Sequence, residues 1–343
     1  MSAQRSLPPA DWLLADVGGT NVRFALAQPA AAAPLLLESI RAYRVAEFAS
    51  LADAAKAYLA VIGEAPAHAV FALAGRVEGS LVQMTNHAWS ISAPQLQHDL
   101  GLHSLKLVND FAAIGVGLPL LAAGDVLALG PSVEAIARGR APQTYCVLGP
   151  GTGLGVSTLA IRDGQLFGLE TEGGHVSFAP TSDEEIAILR QLMTRFGRVS
   201  IERLLCGSGL VNVHRAICAL AQVEAGNLSP EEVTAGARQH ADPHCVHAIE
   251  LFCDMLGSVA GDFALSFGAW DGVYLAGGML DPLLPWLRQG RFRLRFNDKG
   301  RFSQAVARVP VALITHPQPG LLGTAAVAVL AAGRPLLRAG PAQ

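Results

Sequence analysis

The chain carries one local pattern twice: an apolar run, a glycine- and threonine-bearing loop, and a second apolar run. The first copy is Trp12–Val17, then Gly18, Gly19 and Thr20, then residues 20–26, where polar and apolar side chains alternate. The second is residues 146–148, the Gly-Pro-Gly-Thr-Gly-Leu-Gly loop of 149–155, and residues 156–161. A short apolar run closed by glycines reads as a strand ending in a tight turn, and the alternation reads as its returning partner. Two glycine hairpins in 343 residues predict an internal duplication, one hairpin per domain, because a domain takes roughly 150 residues.

The other elements alternate in type. Leu51–Ile62 reads as a helix, residues 68–74 as a strand, and residues 105–108 as a short strand running into Asn109 and Asp110. Ser182, followed by three acids, predicts a capping box in which Ser182 caps and Glu185 reaches back, starting a helix over Asp183–Phe196. Residues 245–267 read as a long buried helix, 272–276 as a strand ending in Gly277-Gly278, and 321–332 as a final alanine-rich helix. Strands alternating with helices predict an α/β fold. The Ala/Gly/Pro-rich residues 122–142 are the candidate crossover between domains.

Composition narrows the functional classes. Apolar residues make up 51% and charged residues 15%, the reverse of a disordered chain's balance. The formal net charge of -3 lacks the basic bias of a dedicated nucleic-acid binder. Residues 1–10 read as a disordered arm without the apolar core of a signal peptide, and 321–332 falls short of the about 20 residues a membrane span needs. No nucleic acid or membrane partner is expected. The five cysteines include no C-x-x-C pair, so neither a disulfide framework nor a tetrahedral zinc site is expected. Arginines dominate 288–301, where Phe292, Leu294 and Phe296 are interleaved; the alternation predicts a strand or loop with one side tucked in and a solvated basic face.

The chemistry sits in four places. Glycines let backbone N–H groups converge on an anion, and threonine adds a hydroxyl. Alone, either loop is equally a plain hairpin turn; in tandem, with Asp16 beside the first, the pair suits phosphate. A carboxylate next to phosphate needs a cation between them, so Asp16 implies Mg²⁺, held through water. Asp110 is a candidate general base and Asn109 a candidate holder of a substrate hydroxyl, although an Asx turn explains the same pair. Glu170, Glu172 and His175 crowd around Gly173-Gly174; they suit a polyol, with metal binding as the rival reading. The P-loop, the G-x-G-x-x-G fingerprint and the D-F-G triplet are absent.

Taken together, these motifs resemble the bacterial ATP-dependent glucokinases of the actin, hexokinase and Hsp70 superfamily, outside the ROK group. The resemblance runs through residues 16–26, 84–89, 108–113, 149–155, 172–180, 197–203, 298–302 and 319–323, in the family's order. It implies a two-lobed, actin-like (ribonuclease H-like) α/β fold with the active site in the cleft. Residues 11–120 with 318–340 would form the small lobe, and 121–317 the large one. Asp110 would be the base for the sugar's 6-hydroxyl; Asn109, Glu172, His175 and Glu202 would hold the other hydroxyls. Glu202 has a rival reading as part of a helix-start cap with Ser200. Asp16, Gly18, Gly19 and Thr20, with Gly151, Thr152 and Gly153, would hold phosphates, Asp16 toward Mg²⁺. Gly277 and Gly278 would lie against the adenosine. The resemblance implies ATP and glucose as substrates, no zinc, a cytoplasmic location and a homodimer. The alternatives are a kinase for another hexose, a polyphosphate-using glucokinase and a non-catalytic sugar sensor.

Overall fold

The computed structural model describes residues 11–75, 77–78, 81–83, 89–134, 136 and 141–337. The expected arm, residues 1–10, and residues 84–88 of the family resemblance lie outside the described residues. The first half comprises β1 (Trp12–Val17), β2 (Asn21–Ala27), β3 (Leu35–Arg44), α1 (Leu51–Ile62), β4 (His68–Leu73), a small sheet of β5 (Val77–Glu78), β6 (Leu81–Gln83) and β7 (Ser90–Ser92), α2 (Ala93–Asp99), β8 (Ser104–Asn109) and α3 (Asp110–Gly117). Next come β9 (Val126–Ala128), β10 (Gln143–Pro150), β11 (Leu154–Arg162), β12 (Gln165–Thr171), α4 (Asp183–Phe196), α5 (Gly207–Leu220), α6 (Pro230–Arg238) and α7 (Pro243–Phe267). The chain ends with β13 (Gly272–Leu275), α8 (Leu284–Arg288), α9 (Arg291–Asn297), α10 (Ser303–Val306), β14 (Val311–Ile314) and α11 (Pro319–Ala331).

The repeated hairpin becomes a repeated sheet. The first sheet runs β3-β2-β1-β4-β8, with β1 antiparallel to β2 and parallel to β4. The second runs β12-β11-β10-β13-β14 in the same sense, with β9 added at its edge. The expected crossover segment thus supplies an edge strand of its own. Register aligns the carboxyl ends: Val17 sits beside Leu73, and Leu73 beside Asn109. Leu148, Leu275 and Leu313 form the equivalent row of the second sheet. Both glycine loops therefore leave from the carboxyl edge, where open α/β sheets bind ligands.

Alternation along β1 decides the layering. Leu13, Ala15 and Val17 pack with Leu51 and Tyr58 of α1, while Trp12 and Leu14 face Leu321 and Ala325 of α11. Along β10, Cys146 and Leu148 face the α5 and α7 side, and Tyr145 and Val147 face Ile114 of α3. Helices α11 and α3 thus lie back to back between the two sheets. Their crossing requires glycine. A Cβ on Gly323 would lie 2.3 Å from the Ala113 carbonyl, and one on Gly117 would lie 2.8 Å from Gly323 Cα.

Two expectations change. The aromatic part of the basic run, Arg291–Asn297, is helical, not extended: Phe292 and Phe296 are buried one turn apart while Leu294 is 70% exposed. A period of four, not two, sets that face. Ser182 does cap α4, accepting from Glu185 N–H at 3.2 Å. The Glu185 carboxylate, however, accepts from Thr181 N–H at 2.7 Å and pairs with Arg295, so it does not close a box on Ser182.

Gly323→Ala should lower unfolding free energy by about 2–3 kcal/mol, because backbone must move to admit the methyl. Gly124→Ala, with open space around it, should stay within about 0.5 kcal/mol. Urea denaturation of both variants checks this, and equal effects would remove the crossing as a constraint.

Candidate active site

Asp110 is held by its neighbours on both sides. Asn109 ends β8 and caps α3, its Oδ1 accepting from Ala112 N–H at 3.0 Å and its Nδ2 donating to the Gly75 carbonyl at 3.2 Å. Asn109 is thus a helix N-cap that bonds three residues on, where an Asx turn would bond two, and it places Asp110 in the first turn of a helix. The Asn109 N–H donates to Glu170 Oε1 of β12, 3.2 Å away. On the other side, the Phe111 carbonyl accepts from Ser157 Oγ of β11 at 2.7 Å. The Phe111 ring lies against Gly149 and Gly155, which are register partners; a Cβ on Gly155 would stand 1.8 Å from the ring. These two glycines of the second loop seat a side chain. At the tip, Gly151 faces open space while its N–H donates to the Gly153 carbonyl at 2.8 Å, and Gly153 lies under a Glu202 oxygen.

The first loop closes with Gly18 N–H donating to the Asn21 carbonyl at 3.0 Å, which leaves Gly19 and the exposed Thr20 at its tip. Asp16, at the end of β1, is half-buried, with Arg23 Nη1 3.9 Å from its Oδ2. A Cβ on Gly320 would touch the same carboxylate at 2.5 Å, so the first turn of α11 abuts Asp16. Burial raises the Asp16 pKa and Arg23 partly offsets it. Gly277, at φ +109°, abuts the Pro150 carbonyl, so the Gly277-Gly278 turn lies beside the second loop.

His175 is the meeting point of two acids. Residues 173–175 form a 3₁₀ turn seated on the second hairpin, where a Cβ on Gly174 would lie 2.4 Å from the Leu154 carbonyl. His175 Nε2 is 3.9 Å from Glu172 Oε2, and its Nδ1 is 4.0 Å from Glu202 Oε1. Glu202 does not serve a cap: its Oε2 accepts from Leu154 N–H at 2.8 Å and lies over Gly153. One carboxylate therefore faces His175 with one oxygen and fastens the second glycine loop with the other. Arg198 donates to the His175 carbonyl at 2.7 Å and holds the turn.

Sequence reasoning named Asp16, Asn109, Asp110, Glu172, His175 and Glu202 as site residues, and it missed the supports Phe111, Glu170, Ser157, Arg198 and Gly320. Glu170 carried a signal as one of the crowded acids, and Phe111, Arg198 and Gly320 lie within segments of the family resemblance, but none was given a role. Asp110 itself is half-buried. Burial pushes its pKa up to about 7, with the charges of Asp16 and Glu172 adding to the effect and the Phe111 N–H opposing it. A carboxylate poised there exchanges protons readily near neutral pH.

A glucokinase family model matches residues 13–331. The glucokinase of Stenotrophomonas maltophilia (strain K279a) is 51% identical over 316 residues, covering 92% of this chain and 94% of that protein. The crystal structure of a glucokinase from an Antarctic psychrotroph superposes with a TM-score of 0.81 at 32% identity, covering 92% of this chain and 98% of that one. A ROK family glucokinase from Streptomyces griseus, solved with glucose and AMPPNP, shares the fold at a TM-score of 0.61 and 19% identity, covering 92% and 98% of the two chains.

The raised Asp110 pKa has a stability consequence. Between about pH 4 and 7 the folded chain keeps this proton while the unfolded chain has lost it, so stability falls as pH rises through that window. Asp110→Asn keeps the acceptor for Phe111 N–H and removes the charge. It should flatten that slope and be more stable than the parent at pH 8 by about 1 kcal/mol or more. Urea unfolding at pH 5, 6, 7 and 8 measures it; identical slopes in both proteins would refute the assignment.

Proposed function

The chain belongs to the glucokinase family, and we propose that it transfers the γ-phosphoryl group of ATP to the 6-hydroxyl of D-glucose, with Asp110 as the base. The observation that carries this reading is the half-buried Asp110 carboxylate, raised toward neutrality between two glycine loops and the Glu172–His175–Glu202 cluster. In this reaction the O6–Pγ bond forms as the bond from Pγ to the β-phosphate oxygen breaks. The hydroxyl proton passes to Asp110, and ADP leaves. Phosphoryl transfer needs alignment and charge neutralisation more than covalent help. Alignment comes from the sugar pocket: Glu172, His175 and Glu202 hold hydroxyls, joined by the Asn109 amide N–H not used on Gly75. Neutralisation comes from backbone N–H groups at Gly19-Thr20 and Thr152-Gly153, since the Gly151 N–H is already bonded within its loop. Gly277 and Gly278 carry no Cβ and admit the adenosine.

The residues around Asp16 fit Mg²⁺: a half-buried carboxylate with a second acid near it offers hard oxygen donors beside both phosphate loops. When bound there, the ion offsets phosphate charge. Residues 11–120 with 318–340 form the small lobe in this proposal, and 121–317 the large lobe. The repeated sheet order supports an actin-like ancestry, and the chain is of the non-ROK type. No described helix is long and apolar enough to cross a membrane. A cytoplasmic homodimer is part of the proposal.

A substrate panel and three variants test it. In a coupled assay over glucose, mannose, galactose and fructose with ATP, ADP or polyphosphate, glucose with ATP should give the highest kcat/KM. Asp110→Asn should lower kcat by about 10²–10⁴-fold with glucose still bound; near-normal turnover would remove Asp110 from the mechanism. Glu202→Gln should raise KM for both glucose and ATP, each by about 10-fold, since a single side chain serves the sugar cluster and the second loop. Glu172→Gln should raise KM for glucose alone. An unchanged KM for ATP in Glu202→Gln would uncouple the two sites.

A further inference from the structure

The helical flank of the second sheet holds a set of ligands that phosphoryl transfer does not use. His214 and Cys218 are four residues apart on α5, so they share one face of that helix. Asp242, the N-cap of α7, and Cys245, three residues later, approach that face. One ligand atom from each of His214, Asp242 and Cys245 lies within 4.8 Å of the others. His214 Nε2 is also 3.6 Å from Cys218 Sγ and 3.9 Å from Asp242 Oδ2.

We propose that His214, Asp242 and Cys245, joined by Cys218 as its thiol turns from His214 toward them, form a structural site for one zinc-type divalent ion, clamping α5 to α7. The donor set is one imidazole nitrogen, two sulfurs and one carboxylate oxygen, which suits four-coordinate zinc and does not suit Mg²⁺ or Ca²⁺. A tetrahedral centre with bonds of about 2.1 Å to nitrogen and 2.3 Å to sulfur separates those ligands by about 3.6 Å. That is the spacing His214 and Cys218 already have.

Two further observations favour a ligand here. The His214 side chain is 2% exposed, and its Nδ1 has no hydrogen-bond partner among the described residues. Its Nε2 meets only long contacts to a thiol and a carboxylate, which satisfies a buried imidazole poorly. Asp242, in turn, divides its oxygens. Oδ1 caps α7 by accepting from His244 N–H at 2.7 Å and lies 3.3 Å from His244 Nδ1, while Oδ2 faces His214. The cap and a metal bond can coexist. Asp242 is 39% exposed and gives the ion a way in.

Binding breaks two S–H bonds, releases both protons to solvent and forms two metal–sulfur, one metal–nitrogen and one metal–oxygen bond, with no change of oxidation state. The helix so clamped begins at Gly207, whose N–H donates to the Gly151 carbonyl at 2.9 Å. The site would therefore stiffen the helix that braces the second glycine loop.

The test uses the full chain, stripped with a chelator and free of sugar and nucleotide. Co²⁺ alone should bind once per chain with a thiolate charge-transfer band and tetrahedral-type visible absorption. Zn²⁺ should displace it stoichiometrically and raise Tm. Cys245→Ser and Cys218→Ser should each weaken binding by about 100-fold or more and diminish the band. Asp110→Asn should leave the spectrum unchanged, which separates this site from the acids of the cleft. If Cys245→Ser fails to fold by circular dichroism, Cys218→Ser and Asp242→Asn, which retains a capping side chain, carry the reading. No thiolate band in the parent, or a band that survives in the folded cysteine variants, would overturn the proposal.

Discussion

The aromatic ring of Phe111 is the pin on which the active site hangs. It lies on two facing glycines of the second hairpin, at separations that admit no Cβ at either position. Its own carbonyl is held by Ser157, and the N–H two residues before it by Glu170. Asp110, between these anchors, belongs by sequence to the first sheet's last strand and helix. By contact it belongs equally to the second sheet. A base for phosphoryl transfer must stand at a fixed distance from groups supplied by the other half of the chain. For the proposed base Asp110, a packed ring and two hydrogen bonds would set that distance.

The repeated strand order gives each half the same tools and different work. Both sheets present a glycine hairpin at the carboxyl edge, and both flank it with a helix N-terminus: α11 against Asp16, and α5 against Gly151. The first hairpin couples its loop to a carboxylate on its own strand. The second borrows a carboxylate from far along the chain, Glu202, which fastens Leu154 N–H and faces His175. That borrowed acid is what joins the two pockets in the proposed reaction.

Much of this was legible in the sequence, because hairpins, glycine loops and capped helices announce themselves locally. Trp12–Val17 is an apolar run closed by glycines, and Leu51–Ile62 and Asp183–Phe196 carry their own caps. The basic run was misread because Phe292, Leu294 and Phe296 also satisfy a two-residue period; only burial shows that Leu294 faces out. The supports of the site were illegible for a different reason. Nothing local to Gly155 says that its missing Cβ makes room for a ring 44 positions earlier in the chain, and nothing local to Glu202 points to Leu154. The residues proposed as ligands on α5 and α7 escaped in the same way. Spacing rules look for cysteines near each other, whereas His214 and Asp242 are brought together by the packing of two helices.

The cleft is electrostatically unsettled, and that unsettledness has a use. Asp16 and Asp110 are both raised by burial, and Asp110 is raised further by Asp16 and Glu172. Arg23 stands 3.9 Å from Asp16, too far for a strong charge-assisted bond. A core residue in such a position would be selected against, because removing either charge would stabilise the fold. A phosphoryl-transfer site gains from it. The first carboxylate is left wanting a cation, and the second is left wanting a proton near neutral pH. Binding a cation beside Asp16 would lower the pKa of Asp110 by adding positive charge nearby. The base would thereby become fully ionised only once the cation is in place. In the proposed reaction, the strain that these acids impose on the free protein would make proton removal wait for phosphate neutralisation.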